Sequence, residues 1–207
     1  MSKNIKIDYK IITLGESGVG KSSIIKRFIK NKFEDNLFST IGMDFTFKEI
    51  ILENNVTIKL KIMDTSGQEK FRSLSKSYYK NADGVFFVFA LNNKDSFNKL
   101  DEWIKSFNEN YILNPDIPKY LVGNKNDLSC KDIDKDSIEK FSSLNNMKYY
   151  ETSAKENTNI DAIFHDIGQK LYENYLKSGG EKEIQINHKI NLKMHKKNNC
   201  CTVSGDI

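Results

Sequence analysis

Residues 15–22, GESGVGKS, constrain this chain more than any other stretch. They follow a short apolar, β-branched run, YKIITL at residues 9–14, and precede a helical pattern, SSIIKRFIKNKF at residues 22–33. Strand, glycine-rich loop and helix in that order turn the loop's backbone N–H groups, and the positive end of the helix, toward a phosphate chain. In this pattern Ser17, Gly18, Val19, Gly20 and Ser23 belong to the cradle. Lys21 brings an ammonium to the outer phosphate oxygens, and Ser22 offers its hydroxyl to Mg2+. A cradle alone does not say which base is held, nor whether the third phosphate is cut.

The remaining pattern predicts an α/β fold. DFTFKEIIL (residues 44–52) and TIKLKIMD (57–64) alternate apolar and polar residues about ENNV, which reads as a hairpin with Asn54 and Asn55 at its turn. GVFFVFAL (84–91) and KYLVGN (119–124) are continuous apolar runs, suited to strands buried on both faces. Helical spacing follows in DSFNKLDEWIKSF (95–107), in DSIEKFSSL (136–144) and at Ile160, Ile163, Phe164, Ile167 and Leu171. Strands alternating with helices imply a mostly parallel sheet covered on both sides, with ligands at the carboxyl ends of its strands. At 207 residues the chain is long enough for one domain and an appendage. The domain is expected over residues 1–176, because periodicity stops after Leu176 and residues 177–207 read as a flexible, lysine-bearing tail.

Charge narrows the partners. The net charge is +4, but residues 177–207 hold six lysines against three acids, so +3 of the excess sits in the tail. The domain itself lacks the basic face of a nucleic-acid binder, and no nucleic-acid partner is expected. No apolar run approaches the roughly 20 residues needed to span a bilayer, and residues 1–10 lack the apolar core of a secretory signal. The three cysteines, Cys130, Cys200 and Cys201, are too few for a disulfide framework or a zinc site. A cytoplasmic monomer is the expectation.

Two stretches bear on the third phosphate. IMDTSGQE carries Asp64, suited to hold Mg2+ through a water, then Gly67, whose N–H can reach a phosphate oxygen, then Gln68, whose amide can orient an attacking water. In FSTIGMD, Thr40 offers a hydroxyl to Mg2+ and an N–H to the same phosphate. The base is read elsewhere. GNKND at residues 123–127 ends an apolar strand, and the Asp127 carboxylate can accept both the N1–H and the 2-amino hydrogens of guanine. Adenine presents a bare acceptor there, so a buried carboxylate rejects it. Lys125 can lie along the ring and Asn124 can tie this loop to the phosphate loop. ETSAK supplies a second wall of Ser153, Ala154 and Lys155, with the Ala154 N–H for guanine O6.

With these motifs in place, the chain resembles the Ras superfamily of small GTPases over about residues 8–176. TIGMDF, DTSGQEKFRSL, YYKNADG and FFVFALNNKDSF are similar to the Rab branch, which regulates vesicle traffic. The resemblance implies the small G-protein fold, a six-stranded mostly parallel sheet with one antiparallel strand and five helices. It implies bound GTP or GDP with Mg2+, and switch segments near residues 35–45 and 66–80. Phe33 would pack on the guanine. Exchange factors, GTPase-activating proteins and effectors would be the partners, the effectors reading Phe45, Met63 and Tyr78. Met63 replaces the usual Trp of that trio, and Ser66 the usual Ala beside Gln68.

Catalysis is expected from Gln68, Lys21, Thr40 and Gly67, and it should be slow. The chain has only two arginines, Arg27 and Arg72, and none in the first switch, so the transition-state cation must come from a partner. The same residues allow a second reading, a guanine-nucleotide-binding adaptor that scarcely hydrolyses. Cys200 and Cys201 near the chain's end resemble the paired prenylation cysteines of Rab proteins, although TVSGDI follows them. Two lipid chains and the tail lysines would hold the protein on the cytosolic face of an intracellular membrane.

Overall fold

A computed structural model describes residues 7–34, 40, 43–53, 55–65, 79–111 and 116–180. Six strands form one sheet: β1 (Ile7–Leu14), β2 (Met43–Ile51), β3 (Thr57–Thr65), β4 (Gly84–Ala90), β5 (Lys119–Asn124) and β6 (Lys148–Glu151), in the order β2-β3-β1-β4-β5-β6. Only β2 runs antiparallel to its neighbour; every other pair is parallel. The central strand β4 is buried at every residue, as its unbroken apolar run requires when helices cover both faces.

Helices α1 (Lys21–Lys30), α2 (Lys94–Asn98), α3 (Leu100–Asn110), α4 (Lys135–Leu144) and α5 (Ile160–Tyr175) pack on that sheet. Only Lys99 separates α2 from α3, so the two make one interrupted helix, and the described residues hold four helical bodies rather than the five expected. The stretch 66–78 lies outside the described residues. Capping side chains start two of the helices: Asn93 Oδ1 accepts from the Ser96 N–H at 2.9 Å, and Asp134 Oδ1 from the Ser137 N–H at 2.8 Å.

Side-chain alternation along β4 divides the core into two layers. On one face Phe86 meets Phe164 edge to face at 5.2 Å, and Phe164 stacks on Phe28 at 3.9 Å, joining α1 and α5 to the sheet. On the other face Phe87 meets Phe107 at 5.9 Å and Phe89 meets Phe97 at 5.0 Å, in a cluster that includes the fully buried Trp103.

Asparagine marks the turns. Of seven non-glycine residues at positive φ among the described residues, six are Asn, a side chain that tolerates the left-handed region. Asn55 (φ +58°) closes the β2–β3 hairpin, its N–H donating to Leu52 O at 2.9 Å; Asn54 lies outside the described residues. Asn31 (φ +51°) ends α1 short of the expected Phe33, its N–H returning to Arg27 O at 2.9 Å.

The chain divides into a unit through Leu171 and a second from Tyr172, within α5. In the second unit the Tyr172 and Tyr175 rings stack at 6.4 Å and a turn closes at Gly179 (φ +94°). No helix among the described residues is long and apolar enough to cross a membrane.

Candidate functional site

The carboxyl ends of β1, β3, β5 and β6 open on a cleft of about 350 Å³. Its first wall is the loop after β1. Gly15 (φ +144°) and Gly20 (φ +96°) leave no room for a side chain: a Cβ at Gly15 would stand 2.0 Å from Val88 O, and one at Gly20 2.3 Å from Asn124 Nδ2. The loop therefore runs against the backbone of β4 and the tip of β5. Helix α1 starts at Lys21 with no side-chain cap and no acid in its first turn, so its N-terminal field is left uncancelled beside the cleft.

Lys21 is only 5% exposed, and its Nζ donates to Gly15 O and Glu16 O at 2.8 Å each. Burial lowers its pKa to about 8, while the charges of Asp64 and Glu16 pull the other way. Ser22 Oγ and Thr40 Oγ1 lie 2.8 Å apart. Behind them Asp64 is held toward its neutral form by burial, against hydrogen bonding from Ser22 and the Lys21 charge. Its Oδ1 is buried without a hydrogen-bond partner among the described residues. A buried, unpartnered carboxylate oxygen beside two hydroxyls suits a hydrated divalent cation, so the residues present fit Mg2+.

The opposite wall hangs on Asn124, which is 2% exposed. Its Nδ2 donates to Val19 O at 2.9 Å, and its Oδ1 accepts from Thr152 Oγ1 at 3.2 Å and from the Ala154 N–H at 3.3 Å. Lys125 follows in the left-handed region (φ +67°). Asp127 Oδ1 accepts from Ser153 Oγ at 2.6 Å. Arg27 reaches across from α1 and donates to Ala154 O at 2.7 Å and Lys155 O at 2.8 Å.

Most sequence-predicted residues meet at this one cleft: Ser17, Gly18, Gly20, Lys21, Ser22 and Ser23 on one side, Phe33 and Thr40 at the rim, and Asn124, Lys125, Asp127, Ala154 and Lys155 opposite. Val19 and Ser153 stand behind the walls, joined through Val19 O and Ser153 Oγ. Asp64 lines a smaller adjoining hollow with Asp44. Gly67, Gln68, Tyr78, Cys200 and Cys201 lie outside the described residues. Sequence reasoning missed Glu34, Thr65 and Leu128, which also line the cleft. Away from it, Phe45 and Phe47 are 52% and 45% exposed on β2, whereas Met63 is buried at 4%.

A profile of the Ras family matches residues 10–173. Ras-related protein Rab-18 of Lymnaea stagnalis is 43% identical over 164 residues, 79% of this chain and 80% of its own. Ras-related protein Rab-18-B of Danio rerio is 39% identical over 193 residues, 93% and 91% of the two chains. GTP-binding protein ypt1 of Schizosaccharomyces pombe is 34% identical over 206 residues, 96% and 100% of the two chains.

Removing the Asn124 amide leaves Val19 O and the Thr152 hydroxyl buried and unpaired. Asn124→Ala should cost about 2–3 kcal/mol, lowering the melting temperature by roughly 4–12 °C. Thermal unfolding checks this, and an unchanged transition would mean that the amide does not hold the loops.

Proposed function

This chain belongs to the Ras family, within it to the Rab small GTPases, and we propose that it is a guanine-nucleotide switch regulating vesicle traffic. The observation that carries the reading is a single cleft with two chemically different walls. At one wall Lys21, an uncapped helix start and glycines at positive φ suit a phosphate chain. At the other, Asp127 suits the N1–H and 2-amino group of guanine, Lys125 can lie along the ring plane, and Phe33 can pack against the base.

Ser22 and Thr40 would ligate Mg2+ through their hydroxyls and Asp64 through water. When bound, the metal supplies positive charge to the phosphates. The Lys21 ammonium, aimed by the carbonyls of Gly15 and Glu16, has a third N–H to give to the β and γ oxygens. Gln68 orients the attacking water, and the N–H groups of Thr40 and Gly67 hold the γ-phosphate. Its loss releases both switches.

Hydrolysis on this reading is slow until a GTPase-activating protein helps. Arg27, one of only two arginines, is engaged by the carbonyls of Ala154 and Lys155 and is not available to the phosphates. A partner's arginine then contributes on the order of 10³–10⁵ in rate. Effectors read the GTP form through Phe45 and Tyr78, with exposed Phe47 beside Phe45 on the same strand face, whereas Met63, expected in that trio, is buried in the core cluster and offers them no such surface. Two lipid chains on Cys200 and Cys201 hold the protein to the cytosolic face of a membrane.

Three outcomes follow. Asp127→Asn weakens GDP by about a hundredfold or more and brings a preference for xanthosine diphosphate; titration calorimetry with GDP, xanthosine diphosphate and ADP checks it, and undiminished GDP binding would remove Asp127 from the base site. Gln68→Leu leaves GTP binding intact but lowers single-turnover hydrolysis by about a hundredfold, the scale of losing an aligned water; wild-type turnover would assign the water to another group. The protein purified from its own cells weighs two prenyl groups more than the chain, by intact mass, and an unmodified mass would abolish the lipid anchor.

A further inference from the structure

Glu16 stands in the phosphate loop with its backbone and its side chain turned to different neighbours. Its carbonyl accepts the Lys21 ammonium at 2.8 Å, as does that of Gly15. Its carboxylate is gripped from the far side: Oε1 accepts from the Trp103 indole N–H at 3.0 Å, and Oε2 from Lys99 Nζ at 3.0 Å. The Glu16 side chain is only 13% exposed and Trp103 is fully buried, so the indole bond is little screened by water, whereas the Lys99 side chain is 49% exposed and its ammonium is partly screened. Lys99 is the residue that interrupts the helix between α2 and α3, and Trp103 sits one turn further on, inside the cluster with Phe87 and Phe107.

The loop has reason to need such a grip. Gly15, Gly18 and Gly20 all hold positive φ, and glycine-rich backbone has many alternative conformations to escape into. Gly15 rests on β4 and Gly20 on Asn124, but between them Gly18 has nothing near its Cα side. The Glu16 carboxylate is the side chain that anchors this segment to a rigid core residue. We infer that Trp103 and Lys99 are positioning residues for nucleotide retention. Through the Glu16 carboxylate they fix the backbone carbonyl that receives Lys21, and so set how readily the phosphate loop lets nucleotide go. The inference rests on the cleft holding guanine nucleotide, as proposed above.

The test uses the full-length chain loaded with mant-GDP and chased with excess GDP, measuring the release rate. Trp103→Phe removes the indole N–H and keeps an aromatic ring; Glu16→Gln removes the carboxylate charge at the same length; Lys99→Met removes the ammonium and keeps the stem. Trp103→Phe and Glu16→Gln should each speed release by about tenfold, the scale of a hydrogen bond to a charged group, and the double variant should release no faster than either alone. A tryptophan that merely fills the core would give a lower melting temperature with wild-type release. Release within twofold of wild type in Glu16→Gln and Lys99→Met, or effects that multiply in the double variant, would overturn the inference, and these two polar substitutions decide it should Trp103→Phe fail to fold. A wild-type chain that retains no mant-GDP would instead overturn the nucleotide reading, and this inference with it.

Discussion

A single buried amide holds the site together. Asn124 lies at the end of β5, where it can reach the loop after β1 on one side and the loop after β6 on the other. The parallel sheet makes this possible, because every parallel strand delivers its outgoing loop to the same edge. Sheet topology alone would leave three loops side by side and free to part. The amide converts adjacency into a fixed width, and Gly20 is the matching concession, since any side chain there would collide with Asn124 Nδ2 at 2.3 Å. Arg27 repeats the device from outside, pinning the carbonyls of Ala154 and Lys155 to α1. The distance between the two walls of the cleft is thus set by side-chain hydrogen bonds rather than by the strands themselves.

Much of this was legible in the sequence because the signals were redundant. Strands β4 and β5 read as continuous apolar runs, and the loop after β1 combined a motif with the correct flanking elements. What was not legible has physical reasons. Strand β6 is four residues long, KYYE, with none fully buried, so it carries neither a run nor an alternation that its own residues could reveal. Helix α1 stops at Asn31 because Asn enters the left-handed region there, while the apolar spacing simply continues to Phe33. The interruption at Lys99 leaves no mark in the periodicity of residues 95–107.

The site shows the same division. Residues whose chemistry is specific, Lys21, Ser22, Asn124 and Asp127, could be named from type and spacing. Thr65 and Leu128 line the cleft only because they adjoin strand ends and the base loop, and nothing in their side chains announces it. Thr65 in fact uses its hydroxyl structurally, donating to Thr13 O at 2.6 Å and fastening β3 to β1 beneath the loop. Val19 and Ser153 contribute an acceptor and a donor from behind the walls, a role that spacing cannot separate from direct contact.

Electrostatics explains why the wall that carries Lys21 needs support from several elements. A buried ammonium is costly unless partnered, and burial already draws the Lys21 pKa down toward 8. The carbonyls of Gly15 and Glu16 keep it charged by offering oxygens at hydrogen-bond distance, but backbone carbonyls can do so only if the loop holds its shape. The shape is held on one side by Asn124 through Val19 O and on the other by Trp103 and Lys99 through the Glu16 carboxylate. Those two holds come from opposite ends of the loop and from different elements, β5 and the interrupted helix α2–α3. Loosening either one would let the carbonyls drift, so that Nζ is no longer held in one place to meet an anion. The affinity of the site for an anionic ligand is therefore a property of core packing several residues away, and not of the loop sequence alone.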